Sequence, residues 1–398
     1  MDTLEYGNPK DAGFDPARIA QLHERAADWC DGSRMRSGVL LAARRGKVAF
    51  HEAFGPLTDK PDGPALQKDS IFSVASCSKP ITATAIMMLV EDGRLGLNRP
   101  LQEYIPSLQG EGMEEVEVQH LLTHTSGLDN QRIENQFAER IAGFSANPPD
   151  CPPRQHPFIA ASLACHTDLG PSWTPGSKMD YCGFNYDLLG EVVRVASGLP
   201  LDQFANERIL GPLGMKDSTY VQDETKLDRW VRRGEGQLGG AIAGDPMAGL
   251  EGQYVQSAPW GNNGLNTTAM DLARFAQMFL NNGVFEGQRY LSPASIHEMT
   301  RNQIPGIKAT FASRDIEASW GLGWMIQATS RWRWGNGSLN SVGSFSHGGF
   351  GGVYFWVDPA KDLVGVYLSV CLDIDVEKAV HRWHLDTFIN MVTAAAVD

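Results

Sequence analysis

The stretch Phe72-Ser73-Val74-Ala75-Ser76-Cys77-Ser78-Lys79-Pro80 opens an apolar run, Ile81 to Val90, that reads as a helix ending at Asp92-Gly93, a glycine C-cap. Ser76 and Lys79 lie three residues apart, close to one helical turn, and so share a face. A lysine within reach of a serine hydroxyl takes up its proton and turns a weak nucleophile into a strong one. The serine also stands at a helix N-terminus, where free N–H groups and the macrodipole favour a developing oxyanion. S-x-x-K alone also describes a capped surface helix, so the rest of the chain decides the reading.

Working outward, Ser37 to Gly55 reads as a β-hairpin, with Gly38–Ala43 and Lys47–Phe50 flanking a turn at Arg45-Gly46. A short helix around Ala17 to Trp29 precedes it. Beyond the Ser76 helix the signals are mostly helical. Asn185 to Ser197 carries a stripe of Leu188, Leu189, Val192 and Val195, and Met270 to Leu280 one of Leu272, Phe275, Ala276 and Phe279. Between them and the Ser76 helix, Gln131 to Pro171 is rich in Pro, Asn and Asp and reads as a loop that walls a site. Strand character returns at Trp320–Ile326, Ser344–His347, Val353–Val357 and Leu363–Ser369, with a turn at Asp358–Asp362. A final helix is expected from Val376 to about Val392.

The two strand groups most simply form one antiparallel sheet, with the middle inserted as a second lobe. The expected fold class is α/β (α+β): a sheet lobe flanked by helices, built from residues 1–79 and 310–398, and a mostly helical lobe, 80–309, with active-site loops.

A serine nucleophile needs a proton relay, an oxyanion donor and a wall that orients substrate. Tyr181 lies on the loop entering the Asn185 helix, and a phenol near two cationic groups could lose its proton and act as base. In Ser346-His347-Gly348-Gly349-Phe350-Gly351-Gly352, consecutive glycines let backbone approach a ligand closely. Leu121-Leu122-Thr123-His124-Thr125-Ser126-Gly127-Leu128 offers a rival histidine and serine, but side chains two apart on an extended chain need not meet. It reads as a buried, hydrogen-bonded structural turn. Cys77 and Cys182 read as small packing residues.

These segments, together with Pro175-Gly176 leading to Tyr181 and with Gly264-Leu265-Asn266-Thr267-Thr268, resemble the serine β-lactamase and penicillin-binding-protein superfamily. The likeness is nearest to class C β-lactamases and family VIII carboxylesterases and runs from about residue 10 to about 390. The resemblance implies a β-lactamase/transpeptidase-like fold with its site between two lobes. It implies an acyl-enzyme on Ser76, with Lys79 and Tyr181 as the general base/acid pair and the N–H groups of Ser76 and Phe350 holding the oxyanion.

The chain departs from the β-lactamase pattern twice. Gly183 stands where Tyr-x-Asn has its asparagine, whose amide binds the acylamino side chain of a β-lactam. An unpaired substrate amide there costs about 1–3 kcal/mol. Asn185, two positions on, points the wrong way to substitute. His347 stands where Lys-Thr-Gly has its lysine, the cation that meets the substrate carboxylate, and a neutral imidazole does not replace it. Both changes favour a neutral ester. Trp173, Trp260 and Phe350 suggest a partly apolar pocket, with Trp260, His347, Gly348 and Gly349 among its lining.

Composition closes off other classes. A net charge of -13 argues against nucleic acid and anionic membranes as partners. The opening Met1–Gly7 is acidic and lacks the features of a secretory leader, which predicts a cytoplasmic chain. No G-x-S-x-G, H-E-x-x-H, phosphate loop or dinucleotide fingerprint occurs, and no cofactor or metal is expected. His381 and His384 read as surface or packing residues. The expected activity is a serine carboxylesterase acting on a small-molecule ester. The alternatives are a β-lactamase, D-amino-acid peptidase or amidase, an acyltransferase, or a non-catalytic sensor of the same fold.

Overall fold

The expected hairpin forms the heart of a seven-stranded sheet. Its strands are β1 (Glu5–Tyr6), β2 (Met35–Arg44), β3 (Lys47–Phe54), β4 (Met325–Ile326), β5 (Phe345–Gly349), β6 (Val353–Asp358) and β7 (Leu363–Cys371), in the spatial order β1-β3-β2-β7-β6-β5-β4. Every pairing is antiparallel except that of β1 with β3. The computed structural model describes residues 3–30, 35–60, 63–146, 150–234, 249–311, 314–329, 337–371 and 380–397.

Arg45 and Gly46 both adopt positive φ, the conformation that matches a two-residue hairpin turn to strand twist. The pleat then sorts side chains by parity. Val39, Leu41, Val353, Phe355, Val364 and Val366 join the larger core, and Leu40, Ala42, Tyr354, Trp356 and Tyr367 the second. The first face is covered by the Ala269–Leu280 helix. The second is covered by the Pro16–Trp29 helix, which packs along the terminal helix Val380–Ala395. With both faces covered, β2 and β7 are buried at every residue and read as near-continuous apolar runs.

The residues between β3 and β4 supply the helical region. Its centre is the helix Lys79–Glu91, buried at every position from Lys79 to Leu89, as a helix apolar on all sides must be. It packs on the helix Phe184–Ser197.

Three expectations are corrected and a fourth falls outside the described residues. Gln131–Pro171 is not a loop: it holds the helices Asn130–Ala146 and Pro157–Cys165. Trp320–Ile326 is a strand only at Met325–Ile326. Gly323, at φ 90°, turns the chain there, and a Cβ on it would come within 2.5 Å of the Ala83 Cβ. Val195, expected on the buried stripe, is 42% exposed in the last turn of its helix, where none of residues 194–197 is buried. The terminal helix is described from Val380, so the expected start at Val376 lies outside the described residues.

Candidate active site

Ser76 is the one residue from Ser70 to Leu89 that is not buried. It sits in a turn of 3-10 helix, Ala75–Ser78, that runs into the Lys79–Glu91 helix. Ala75 is held at φ 46°, which costs a side-chain-bearing residue about 1 kcal/mol or more and persists only where the surroundings enforce it. They do so from two sides. The short strand Phe72–Ser73 pairs with Asn266–Thr267, the Val74 N–H donates to the Leu265 carbonyl at 3.1 Å, and the Ser78 hydroxyl receives the Leu265 N–H at 2.9 Å. The Gly264–Thr268 segment is therefore the clamp on the serine turn.

The other side is the sheet edge. β4 pairs with Phe345 and Ser346 of β5, so on that edge His347 to Gly349, which pair with β6 on their other side, face the serine turn. The Cys77 Sγ donates to the His347 carbonyl at 3.4 Å. A Cβ on Gly349 would come within 2.3 Å of the Val74 carbonyl oxygen, so the close approach requires glycine.

Lys79 Nζ donates to Ser76 Oγ at 2.8 Å and to the Asn262 carbonyl at 3.0 Å. It lies 5.0 Å from the centre of the Tyr181 ring and 5.5 Å from that of Tyr186. Burial pushes the ammonium down from its ordinary value, while the Asp187 carboxylate, Cys182 and Cys77 draw it back up. Tyr181, half-buried, is hydrogen-bonded to Ser76, and burial holds its phenol well above the usual range. Burial thus acts against the loss of the phenolic proton that the sequence reading allowed.

The Leu121–Leu128 segment is a structural turn that carries Tyr181. His124, at φ 56° and 1% exposed, stacks on the Tyr181 ring at 4.2 Å, and its Nδ1 accepts the Cys182 N–H at 3.2 Å. The Asp180 N–H donates to the His124 carbonyl at 2.9 Å, and the Tyr186 hydroxyl to that of Leu122 at 2.8 Å. Ser126 donates to Asn185 Oδ1 at 2.9 Å, so Ser126 and His124 do not meet as a pair. Asn185 is fully buried in that contact.

His347 is 1% exposed, its Nδ1 on the Gly348 carbonyl at 2.8 Å, and its ring 6.4 Å from that of Tyr181. Burial, with Lys79 nearby, pushes it down to about 3, so it carries no charge at neutral pH. Phe350, at the turn after Gly349, leaves its side chain 55% exposed. The nearest neighbour of a Cβ on Gly183 would be Asn262, at 3.6 Å, an ordinary contact. Trp260 is buried with its ring 4.5 Å from that of Tyr254 and its N–H on the Tyr254 carbonyl, so it supports the Gly261–Asn262 segment from behind. Trp173 lies under the Lys178 ammonium at 4.5 Å.

Asp187 and Asn262 are the site residues that sequence reasoning missed. The Asp187 carboxylate accepts the Asn262 N–H at 3.2 Å and its Nδ2 at 2.5 Å. The available signal was a carboxylate inside the otherwise uncharged stretch Phe184–Gly190.

A serine–lysine pair where a helical region meets the edge of a largely antiparallel sheet defines a class of serine hydrolases that includes the penicillin-recognising proteins. The β-lactamase family model matches residues 19–384, and the chain belongs to that family. It is similar to penicillin-binding protein 4 of Amycolatopsis lactamdurans, 28% identical over 327 residues that span 80% of this chain and 77% of the relative. It is similar to esterase EstB of Burkholderia gladioli, 32% identical over 233 residues, 56% of this chain and 54% of that one. The solved structure of EstCE1, a hydrolase with promiscuous acyltransferase activity, shares the fold at a TM-score of 0.72, with 19% identity over 94% of this chain and 98% of the other. Among the described residues, no helix is long and apolar enough to cross a membrane.

Proposed function

We propose that the chain is a serine carboxylesterase that works through an acyl-enzyme on Ser76. The observation that carries this reading is a single accessible serine hydroxyl bonded to both the Lys79 amine and the Tyr181 phenol. Neutral Lys79 takes the Ser76 proton as Oγ attacks the ester carbonyl. The N–H groups of Ser76 and Phe350 are assigned to the oxyanion, with Gly348 and Gly349 giving the backbone room for a close approach. Tyr181 donates its proton to the departing alkoxide and recovers one from the Lys79 ammonium. Water then repeats the sequence on the acyl-enzyme, with Lys79 again as base, and releases the acid.

The preference for a neutral ester rests on two positions. His347 offers no cation to a substrate carboxylate, and Gly183 offers no amide to an acylamino group. The likeness to EstB supports the same choice, while the likeness to penicillin-binding protein 4 keeps amide hydrolysis as its rival. The test is hydrolysis of p-nitrophenyl butyrate by the wild type and by Ser76→Ala, beside turnover of a chromogenic cephalosporin. The expected result is ester hydrolysis that vanishes in Ser76→Ala, with cephalosporin turnover far weaker. An active Ser76→Ala would remove the serine from the mechanism, and a preference for the cephalosporin would make the chain an amide-bond hydrolase.

A further inference from the structure

We propose that Asp187 is a positioning residue for Lys79 that acts through Asn262; the proposal rests on the acyl-enzyme reading above. Asp187 stands in the first turn of the Phe184–Ser197 helix, beside the fully buried Tyr186 and Leu188. Its two oxygens take both N–H donors of one residue, the Asn262 backbone at 3.2 Å and its Nδ2 at 2.5 Å. The carbonyl of that same Asn262 receives the Lys79 Nζ at 3.0 Å, and Nζ reaches Ser76 Oγ at 2.8 Å. Two donors fixed by one carboxylate leave Asn262 little freedom to turn, so its carbonyl is aimed at the amine. A carboxylate amid apolar neighbours needs such a compensating arrangement. The three residues come from three segments, 75 and 183 positions apart, so no local sequence rule produces the contact.

Asp187 also acts through space. The titratable groups that face Lys79 are Cys77 on its own element, Tyr181, Cys182, Tyr186 and Asp187 from the segment entering the next helix, His124 from the Leu121–Leu128 turn, and His347 from β5. Tyr254 faces Asp187 from the far side. Burial keeps the thiols and phenols protonated and the imidazoles neutral. Burial also pushes the Asp187 carboxyl up, while the two Asn262 donors and Lys79 draw it back, so Asp187 and Lys79 gain and lose their charges together; when ionised, Asp187 is, among the described residues, the group of opposite charge that opposes the desolvation of Lys79. It keeps the amine basic enough to take the serine proton while the Asn262 carbonyl keeps it pointed at Oγ.

The experiment is kcat/KM for p-nitrophenyl butyrate against pH for the wild type, Asp187→Asn and Asp187→Glu. With the carboxylate gone, Lys79 loses its proton at lower pH. The acid limb of Asp187→Asn is expected to move down by about one pH unit. Asp187→Glu keeps the charge, so its limb stays near that of the wild type while kcat falls because the Asn262 clamp is displaced. If Asp187→Asn does not fold, as judged by circular dichroism, Asp187→Ser is read the same way. An acid limb that coincides with the wild type in the neutral variant overturns the role of Asp187 and leaves the acyl-enzyme intact. A Ser76→Ala variant that still hydrolyses the ester overturns both.

Discussion

Replacing Tyr181 with phenylalanine removes one oxygen and tests which group moves the leaving-group proton. The ring has its packing from His124 at 4.2 Å, Trp320 at 5.9 Å and His347 at 6.4 Å, none of which needs the hydroxyl. The lost bond to Ser76 is worth about 1 kcal/mol to stability. For a chain of 398 residues that is a shift in Tm of about 2 °C or less. The kinetic loss is larger. A positioned acid or base contributes roughly 10²- to 10⁴-fold, or about 3–5 kcal/mol of barrier. Because the buried phenol holds its proton, the loss depends on how much the leaving group needs one. Acylation by a p-nitrophenyl ester, whose leaving group departs readily as an anion, is expected to fall least. Acylation by an alkyl ester of the same acid is expected to fall toward the upper end of that range. Stopped-flow acylation rates for the two esters, wild type against Tyr181→Phe, give the ratio. Equal losses for both esters would refute donation by Tyr181, and rates within about tenfold of wild type for the alkyl ester would refute any proton-transfer role.

Lys79 must be neutral to take the serine proton, so kcat/KM is expected to be low at acid pH and to rise as Lys79 deprotonates. His347, pushed down to about 3, adds no second limb between about pH 5 and 9, and a limb in that range abolished by His347→Asn would contradict its neutrality. Gly349→Ala places a Cβ within 2.3 Å of the Val74 carbonyl and 2.6 Å of the Val353 side chain. It is expected to lower stability by about 3 kcal/mol in a denaturant titration and to disturb the serine turn it touches. Gly183→Asn has room, since the nearest neighbour of its Cβ is Asn262 at 3.6 Å. It is expected to leave Tm nearly unchanged and to raise kcat/KM for an acylamino cephalosporin about tenfold relative to the aryl ester, the return on one newly paired amide.

The parts of this molecule that the sequence discloses are those whose causes are local. Ser76 and Lys79 are joined by helical spacing, the hairpin by its Arg45-Gly46 turn, and the central strands by apolar runs bounded by turns. The Asn130–Ala146 helix escaped because its composition is dominated by polar residues, from Gln131 and Arg132 to Glu139 and Arg140. Its helical period survives in Ile133, Phe137 and Ile141, four residues apart, and Ile133 is buried as that period requires. Trp320–Ile326 misled in the other direction, because aromatic content outweighed Gly321 and Gly323, the second of which turns the chain against the Lys79 helix.

Protonation states were the least legible part of the site, because they depend on desolvation and on partners distant in sequence. Reference values make histidine the group that titrates near neutrality and lysine a fixed cation. In this fold the order is exchanged: burial removes the charge from His347 altogether and brings the Lys79 ammonium down from its ordinary range. The same burial opposes ionisation of Tyr181. Lys79 is held by the carbonyl of Asn262, which is fixed in turn by Asp187, and that chain of contacts closes only when the helix Phe184–Ser197 packs on the helix Lys79–Glu91. The motifs therefore identify which atoms meet, and the packing decides which of them carries the proton.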